Sequence, residues 1–156
     1  MILHLLRHAE AEDFRTHDAD RALTNRGVLQ ATRMGEFLAR HHIPLHLIVS
    51  SPYIRARETA RAICKYYLNT PLVEDRKLSS GMSPEEGIDV LRSLAVHDHV
   101  LLVGHEPDLG FLAATLLSGD RSLQIYFDKA TLVSIDLQTL RPASGILQAI
   151  VPVHLI

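Results

Sequence analysis

The sequence predicts an α/β protein, a three-layer α/β/α sandwich whose sheet is mostly parallel with antiparallel strands at one side. Three features lead there. Short apolar runs alternate with stretches of helical periodicity over roughly the first 120 residues; the helical stretches open on cap or proline signals; and the remaining tail switches to strand-like runs separated by turn-sized gaps.

Ile2–Leu6 is an apolar run ending on a charged residue, which suits a buried strand. Val28, Ala31, Met34, Phe37 and Leu38 follow at helical spacing, with Thr24 or Asn25 as cap and an end before Pro44. Leu47–Val49 is a second buried strand. Ser51-Pro52 then reads as an N-cap and first helical residue, opening a helix that continues from Ile54 to Tyr67. Pro71–Glu74 is a short third strand. Ser83-Pro84-Glu85-Glu86 repeats the cap-plus-proline start, its acidic first turn suited to the helix dipole, for a helix reaching about Ala95. Val100–Val103 is a fourth strand, and a helix is predicted from about Asp108 to Leu117. Leu123–Phe127, Leu132–Asp136 and Gly145–Val151 are read as three closing strands.

Length and composition restrict the function classes. A chain of 156 residues suits one domain, residues 1–156, able to bury roughly two-thirds of its unfolded surface. Sixteen Lys and Arg against 18 Asp and Glu leave a net charge of −2, which argues against a general nucleic-acid binder. A hydrophobic fraction of 47 % with 22 % charged residues excludes intrinsic disorder. No apolar run approaches the roughly 18 residues a membrane span needs. The stretch Met1–Leu6 lacks a basic flank and meets Arg7 too soon for a signal peptide. Cys64 is a lone cysteine, so neither a disulfide framework nor a Cys-rich metal site is available. A cytoplasmic protein is the expectation. Charge is uneven: residues 1–78 carry 12 basic and 9 acidic side chains, residues 79–156 only 4 against 9.

In open α/β sheets ligands bind beyond the carboxyl ends of the strands. The first predicted strand releases Arg7-His8, the second Ser50-Ser51-Pro52-Tyr53-Ile54-Arg55, the fourth Gly104-His105-Glu106. Two histidines and two arginines, distant in sequence, thus converge on one pocket if the placement rule holds. Arginine forks and helix N-termini fit a phosphoryl group. A neutral imidazole there can attack phosphorus, and a second can stabilise the charge of the transition state. With that positive charge supplied by the chain, no metal or other cofactor is called for. Each residue alone would be an ordinary loop or surface side chain; the joint occurrence at three strand ends carries the reading.

The residues also carry a family resemblance. Leu5-Leu6-Arg7-His8-Ala9-Glu10 with Leu23-Thr24-Asn25-Arg26-Gly27, then Ser51-Pro52-Tyr53-Ile54-Arg55-Ala56-Arg57-Glu58-Thr59-Ala60, then Leu102-Val103-Gly104-His105-Glu106-Pro107 resemble, in order, the three blocks of the histidine phosphatase superfamily, the phosphoglycerate-mutase-like fold. The short length is closest to the SixA-type phosphohistidine phosphatases. The resemblance implies that His8 becomes phosphorylated, that Arg7, Arg55 and His105 surround the phosphoryl group, and that Arg21 lines the entrance. Two departures stand out. Ala9 occupies the position of the family's glycine, and Arg76-Lys77-Leu78-Ser79-Ser80-Gly81 stands where mutase-type members place an acidic proton donor.

An alkoxide leaving group needs a general acid, whereas an imidazole is readily protonated and needs one less. Glu10, Glu12, Glu106 and Asp108 are the carboxylates near the strand ends that could donate, each equally readable as a cap, an ion-pair partner or a solvated loop residue. Connectors mostly under a dozen residues leave little material for a lid, and an open site suits a phosphorylated side chain on another protein. The expected activity is therefore removal of a phosphoryl group from phosphohistidine on a phosphorelay or phosphotransfer protein, with inorganic phosphate or another oxyanion able to occupy the site. A small-molecule phosphomonoesterase acting on a sugar or nucleotide phosphate is the alternative, and a non-catalytic phosphate binder a third reading. Elsewhere, Pro44 between His42 and His46 argues against a metal pair, His97 and His99 are expected in a solvated turn, Cys64 in the core, and Lys129 on the surface, with an approach to the pocket from the sheet end as its alternative.

Overall fold

The structure, a computed structural model, describes residues 1–13 and 17–156. Six strands form one sheet: β1 (Ile2–Arg7), β2 (Leu47–Ser50), β3 (Leu72–Glu74), β4 (His99–Gly104), β5 (Leu132–Leu137) and β6 (Gly145–Val151), in the order β3-β2-β4-β1-β5-β6. Strands β1 to β4 are mutually parallel, and β5 and β6 run antiparallel on the far side of β1. Four helices cover the sheet: α1 (Asn25–Arg40), α2 (Ile54–Cys64), α3 (Pro84–Ser93) and α4 (Asp108–Ser118). This is the predicted three-layer sandwich.

The winding explains which helix covers which face. The chain moves outward from β1 to β2 to β3, then reverses to lay β4 between β2 and β1. Right-handed crossovers place helices on opposite faces when the direction of winding reverses. Accordingly α1 and α2 pack together over one face, with Met34, Leu38 and Ile63 against Leu6, Ile48 and Leu101. Helices α3 and α4 cover the other, with Ile88, Leu91 and Leu112 against Leu3, Val49 and Leu102. Alternate residues of β1, β2 and β4 thus feed two cores, which is why these strands read as continuous apolar runs. Among the described residues no helix is long and apolar enough to cross a membrane.

Local chemistry sets the helix boundaries. Thr24 caps α1, its hydroxyl oxygen accepting the Gly27 N–H at 3.0 Å. Ser83 and Glu86 form a reciprocal capping box on α3. Gly119, at φ 94°, ends α4 in the left-handed conformation that a glycine adopts without penalty.

Three expectations are corrected. Leu123–Phe127 is not a strand: β4 and β5 already flank β1 on both sides, and Leu123 and Gln124 are both exposed where a strand packed on the core would bury one of them. Helix α2 starts at Ile54 with Tyr53 as its N-cap and ends at Cys64, leaving Ser51-Pro52 in the turn before it. His99 opens β4 rather than lying in a solvated turn, its ring stacked on His4 at 6.1 Å and edge-on to His46 at 5.2 Å.

The segment after β1 is clasped to the start of α1. Thr24 N–H donates to the Glu10 carbonyl at 3.1 Å, the Thr24 hydroxyl donates to Glu10 Oε1 at 2.7 Å, and Ala11 bridges to Leu23. Gly27 lies so close beneath that a Cβ there would overlap the Glu10 carbonyl. Gly27→Ala should therefore lower stability by about 1–3 kcal/mol, the usual cost of overpacking, despite alanine's better helix propensity. Urea denaturation checks this; an unchanged or raised midpoint would show that the clasp yields freely.

Candidate active site

The register of the sheet assembles the site. Arg7 lies opposite Gly104 and Ser50 opposite Val103, so His8, His105 and Ser51 leave the sheet side by side. The ladder continues one step further through His8 N–H to the Gly104 carbonyl at 3.0 Å and Ser51 N–H to the Val103 carbonyl at 2.9 Å. All three residues are buried. The rings of His8 and His105 stand 5.3 Å apart.

His8 is held at both ring nitrogens. Nδ1 lies 2.7 Å from the Ala9 carbonyl, which can only accept, so Nδ1 carries the proton and donates it. Nε2 accepts from Arg55 Nε at 3.1 Å. Nε2 is thus unprotonated, its lone pair engaged by Arg55. Burial, reinforced by Lys129, His105 and Arg55 and opposed by the Ala9 hydrogen bond, pulls the imidazole pKa from 6.5 to about 2. His105 is lowered to about 3, again chiefly by burial, then by Arg55. Its Nε2 shares a 2.7 Å hydrogen bond with the Ser51 hydroxyl, and its ring lies 4.9 Å from that of Tyr53. Both histidines are neutral at physiological pH.

The predicted arginines surround them. Arg55, in the first turn of α2, is buried; its Nη2 pairs with Asp18 Oδ2 at 2.8 Å and its Nη1 donates to the Asp18 carbonyl at 2.5 Å. Arg7 Nη1 donates to the Phe127 carbonyl at 2.6 Å, while its Nε is buried without a partner. Arg21 does not touch His8 or His105; it joins the site through Asp18, 3.0 Å from its Nη1, and its Nε donates to the Glu12 carbonyl. Asp18 thereby bridges two guanidiniums, and its carboxyl, though burial opposes the shift, lies below the ordinary range because both arginines hydrogen-bond it.

The carboxylates considered as proton donors are largely committed elsewhere. Glu10 accepts from Thr24 and pairs with Arg26 at 3.3 Å. Asp108 accepts the Gly81 N–H at 2.8 Å, and burial raises its pKa. The Glu106 carboxyl, also raised by burial, faces the N–H groups of Gly110 and Phe127 beside Arg7, with Oε2 buried and unpartnered. Glu12 is exposed at the end of the clasped segment.

Sequence reasoning missed Asp18, Thr59 and Ser51 in these roles. Thr59, buried one turn after Arg55, accepts the Ala9 N–H at 3.0 Å and donates to the Arg55 carbonyl at 2.7 Å, tying α2 to the peptide that orients His8. The usable signal was its spacing, four residues beyond Arg55 and so on the same helix face. Lys129 is half-buried and electrostatically coupled to the site, contrary to the surface position expected.

Paired neutral imidazoles thus stand among guanidiniums at the carboxyl edge of a parallel sheet, on a phosphoglycerate-mutase-like fold. Comparison with known proteins agrees. The profile of the histidine phosphatase superfamily (branch 1) matches residues 3–80, and the chain belongs to that superfamily as one of its phosphatases. A phosphohistidine phosphatase SixA homolog of Haemophilus influenzae is 29 % identical over 138 residues, covering 81 % of this chain and 83 % of that protein. The structure of the protein histidine phosphatase SixA complexed with tungstate superposes with a TM-score of 0.87 at 22 % identity, over 99 % of this chain and 98 % of that one. The alpha-ribazole phosphatase of Shigella flexneri shares the fold at a TM-score of 0.79 and 18 % identity, over 98 % and 97 %.

The buried histidines make stability depend on pH. His4 (about 4), His105 (about 3) and His8 (about 2) all fall below the 6.5 of an exposed imidazole, burial being the main cause. Between pH 6.5 and those values the unfolded chain binds protons that the folded chain refuses, so stability is greatest above 6.5 and falls with acidification, by on the order of 1 kcal/mol per pH unit per group. Denaturation midpoints at pH 7.5 and 5.0 should show the loss, and His4→Phe should flatten it. Equal midpoints in the wild type would contradict the neutral, buried assignment.

Proposed function

We propose that the protein is a phosphohistidine phosphatase acting on a phosphorylated protein of the phosphorelay or phosphotransfer kind, through a covalent intermediate on His8. The observation that carries this reading is the hydrogen bonding of His8: Nδ1 donates to Ala9, so Nε2 is unprotonated. Its lone pair, which accepts from Arg55 Nε in this structure, turns to phosphorus when the phosphoryl group takes over that guanidinium N–H. In the first step the His8 Nε2–P bond forms as the bond from phosphorus to the substrate imidazole breaks, and the departing nitrogen takes a proton from solvent. In the second, water attacks phosphorus, inorganic phosphate leaves, and His8 recovers its lone pair while the water's remaining proton passes to solvent. Arg7, Arg55 and His105 hold the phosphoryl oxygens, with Arg21 at the entrance. As preorganised donors they stabilise the charge that develops in transfer.

The substrate class follows from proton supply. Glu10 and Asp108 are bound to the fold, Glu106 sits beside Arg7, and Glu12 lies out on the surface. Residues 76–81, none of them acidic, stand in the mutase-type donor position, so a leaving group that departs without a dedicated acid suits the site. The fold shared with the alpha-ribazole phosphatase keeps a small-molecule monoesterase as the second reading.

Brief incubation with labelled phosphohistidine peptide and an alkaline quench should trap one acid-labile phosphoryl group, and His8→Ala should abolish both label and turnover while remaining folded. Near-normal turnover by that variant would end the mechanism.

Leaving groups separate the two readings. Phosphoramidates and activated aryl phosphates should turn over fast and alkyl phosphates slowly, with activity surviving exhaustive chelation. Amide substitution of Glu10, Glu12, Glu106 or Asp108, one at a time, should spare phosphohistidine turnover apart from effects on folding. A 10²–10⁴-fold loss (roughly the share of a general acid) confined to alkyl esters in one such variant would favour the monoesterase.

A further inference from the structure

The turn between Asp128 and Thr131 touches the candidate site on both sides. Just before it, the Phe127 carbonyl accepts from Arg7; within it, Ala130 N–H donates to the His8 carbonyl at 3.3 Å. The turn closes through Thr131 N–H to the Asp128 carbonyl at 3.0 Å, and Ala130 adopts φ 54°, a left-handed conformation that an alanine holds only where its surroundings impose it. Lys129 lies between those two anchor points. Its side chain is half-buried, and its ammonium lies within electrostatic reach of Arg7, Arg21, Arg55, His8 and His105. These five groups come from the end of β1, the turn before α1, the first turn of α2 and the end of β4. Lys129 is thus carried beside the site by a turn anchored to Arg7 and His8.

No ion pair explains a lysine there. Among the described residues, no carboxylate comes within salt-bridge distance of its ammonium. Asp128 accepts the Lys129 backbone N–H at 2.7 Å, and Asp18 is taken by Arg21 and Arg55. A cation placed among three guanidiniums with no carboxylate partner of its own suits the binding of an anion.

We propose that Lys129 binds the transferred phosphoryl group directly, its ammonium pairing with a phosphoryl oxygen alongside Arg7, Arg55 and His105. The proposal rests on reading the site as one for phosphoryl transfer, and holds whichever phosphorylated molecule enters it. Burial, followed by repulsion from Arg7, Arg21 and Arg55 and opposed by Asp128, lowers the lysine pKa to about 8 in the empty site. An incoming oxyanion offsets that repulsion and favours the ammonium. Lys129 is therefore charged at neutral pH and loses its proton above about pH 8, taking part of the anion affinity with it.

Tungstate is the probe. Its affinity for the full chain, measured by calorimetry from pH 6.5 to 9.5, should be about ten- to a hundredfold weaker in Lys129→Met at pH 7, as for loss of a charged hydrogen bond. Wild-type affinity should decline above about pH 8. That decline should shrink in Lys129→Met and move to higher pH in Lys129→Arg. Lys65→Met, which removes an exposed lysine beyond the far end of α2, controls for overall charge and should match the wild type. If Lys129→Met binds within twofold of the wild type with the same pH profile, the proposal is wrong. Wild-type protein that binds no tungstate would instead overturn the phosphoryl-site reading, and a preference for esters over phosphohistidine would overturn only the substrate class.

Discussion

The hydrogen bond from Arg55 Nε to His8 Nε2 is the contact on which the rest of the site depends. A guanidinium can only donate, so the nitrogen it meets must be bare, and the ring proton must sit on Nδ1, where the Ala9 carbonyl receives it. One contact thus selects the tautomer, and burial among cations keeps the ring neutral. Both partners must be rigid for this to work. Thr59 supplies that rigidity by bonding the Ala9 N–H and the Arg55 carbonyl with a single hydroxyl, so the strand end and the first turn of α2 cannot shift independently.

The charge balance of the site points the same way. Three guanidiniums and a lysine gather around two neutral histidines, and Asp18 is the carboxylate that bridges Arg55 and Arg21. Glu106 sits behind Arg7, partly protected from solvent. Like charges held together raise the energy of the empty fold, and a dianionic ligand relieves that repulsion. The clasp between Glu10, Thr24 and Gly27 and the turn around Ala130 hold the strand end against it from opposite sides. A protein that spends carboxylates such as Glu10 and Asp108 on holding its loops has few left to hand protons to a substrate.

Much of this was legible in the sequence because buried parallel strands and capped helices write strong local patterns. The rule that ligands gather at carboxyl strand ends anticipates that Arg7, His8, Arg55 and His105 come together, and the structure brings them to one edge of the sheet. What was not legible depended on tertiary partners. Ser51-Pro52 has the composition of a helix start, yet the Ser51 hydroxyl serves His105 and the helix opens at Ile54. Leu123–Phe127 has strand composition, yet no open edge of β1 remained for it to join. His99 looked like a turn residue because its partial burial comes from His4 on β1 and from His46, just before β2. Asp18 and Lys129 are ordinary charged loop residues until the fold brings each beside three other elements.

Residue type and spacing predict well the groups a backbone element carries directly out of the sheet, and poorly those that reach the site from loops. The distinction has a chemical side. The residues on strand and helix ends, His8, His105 and Arg55, are buried; His8 and Arg55 are each held by two hydrogen-bonding residues, and His105 by Ser51. The loop-borne Asp18, Arg21 and Lys129 are more exposed and carry charge rather than shape. The fixed inner set lies on the elements that build the sheet and its first covering helices, so the fold itself dictates its placement. The outer charges of this chain, set on a turn and a short loop, are where it has room to be particular.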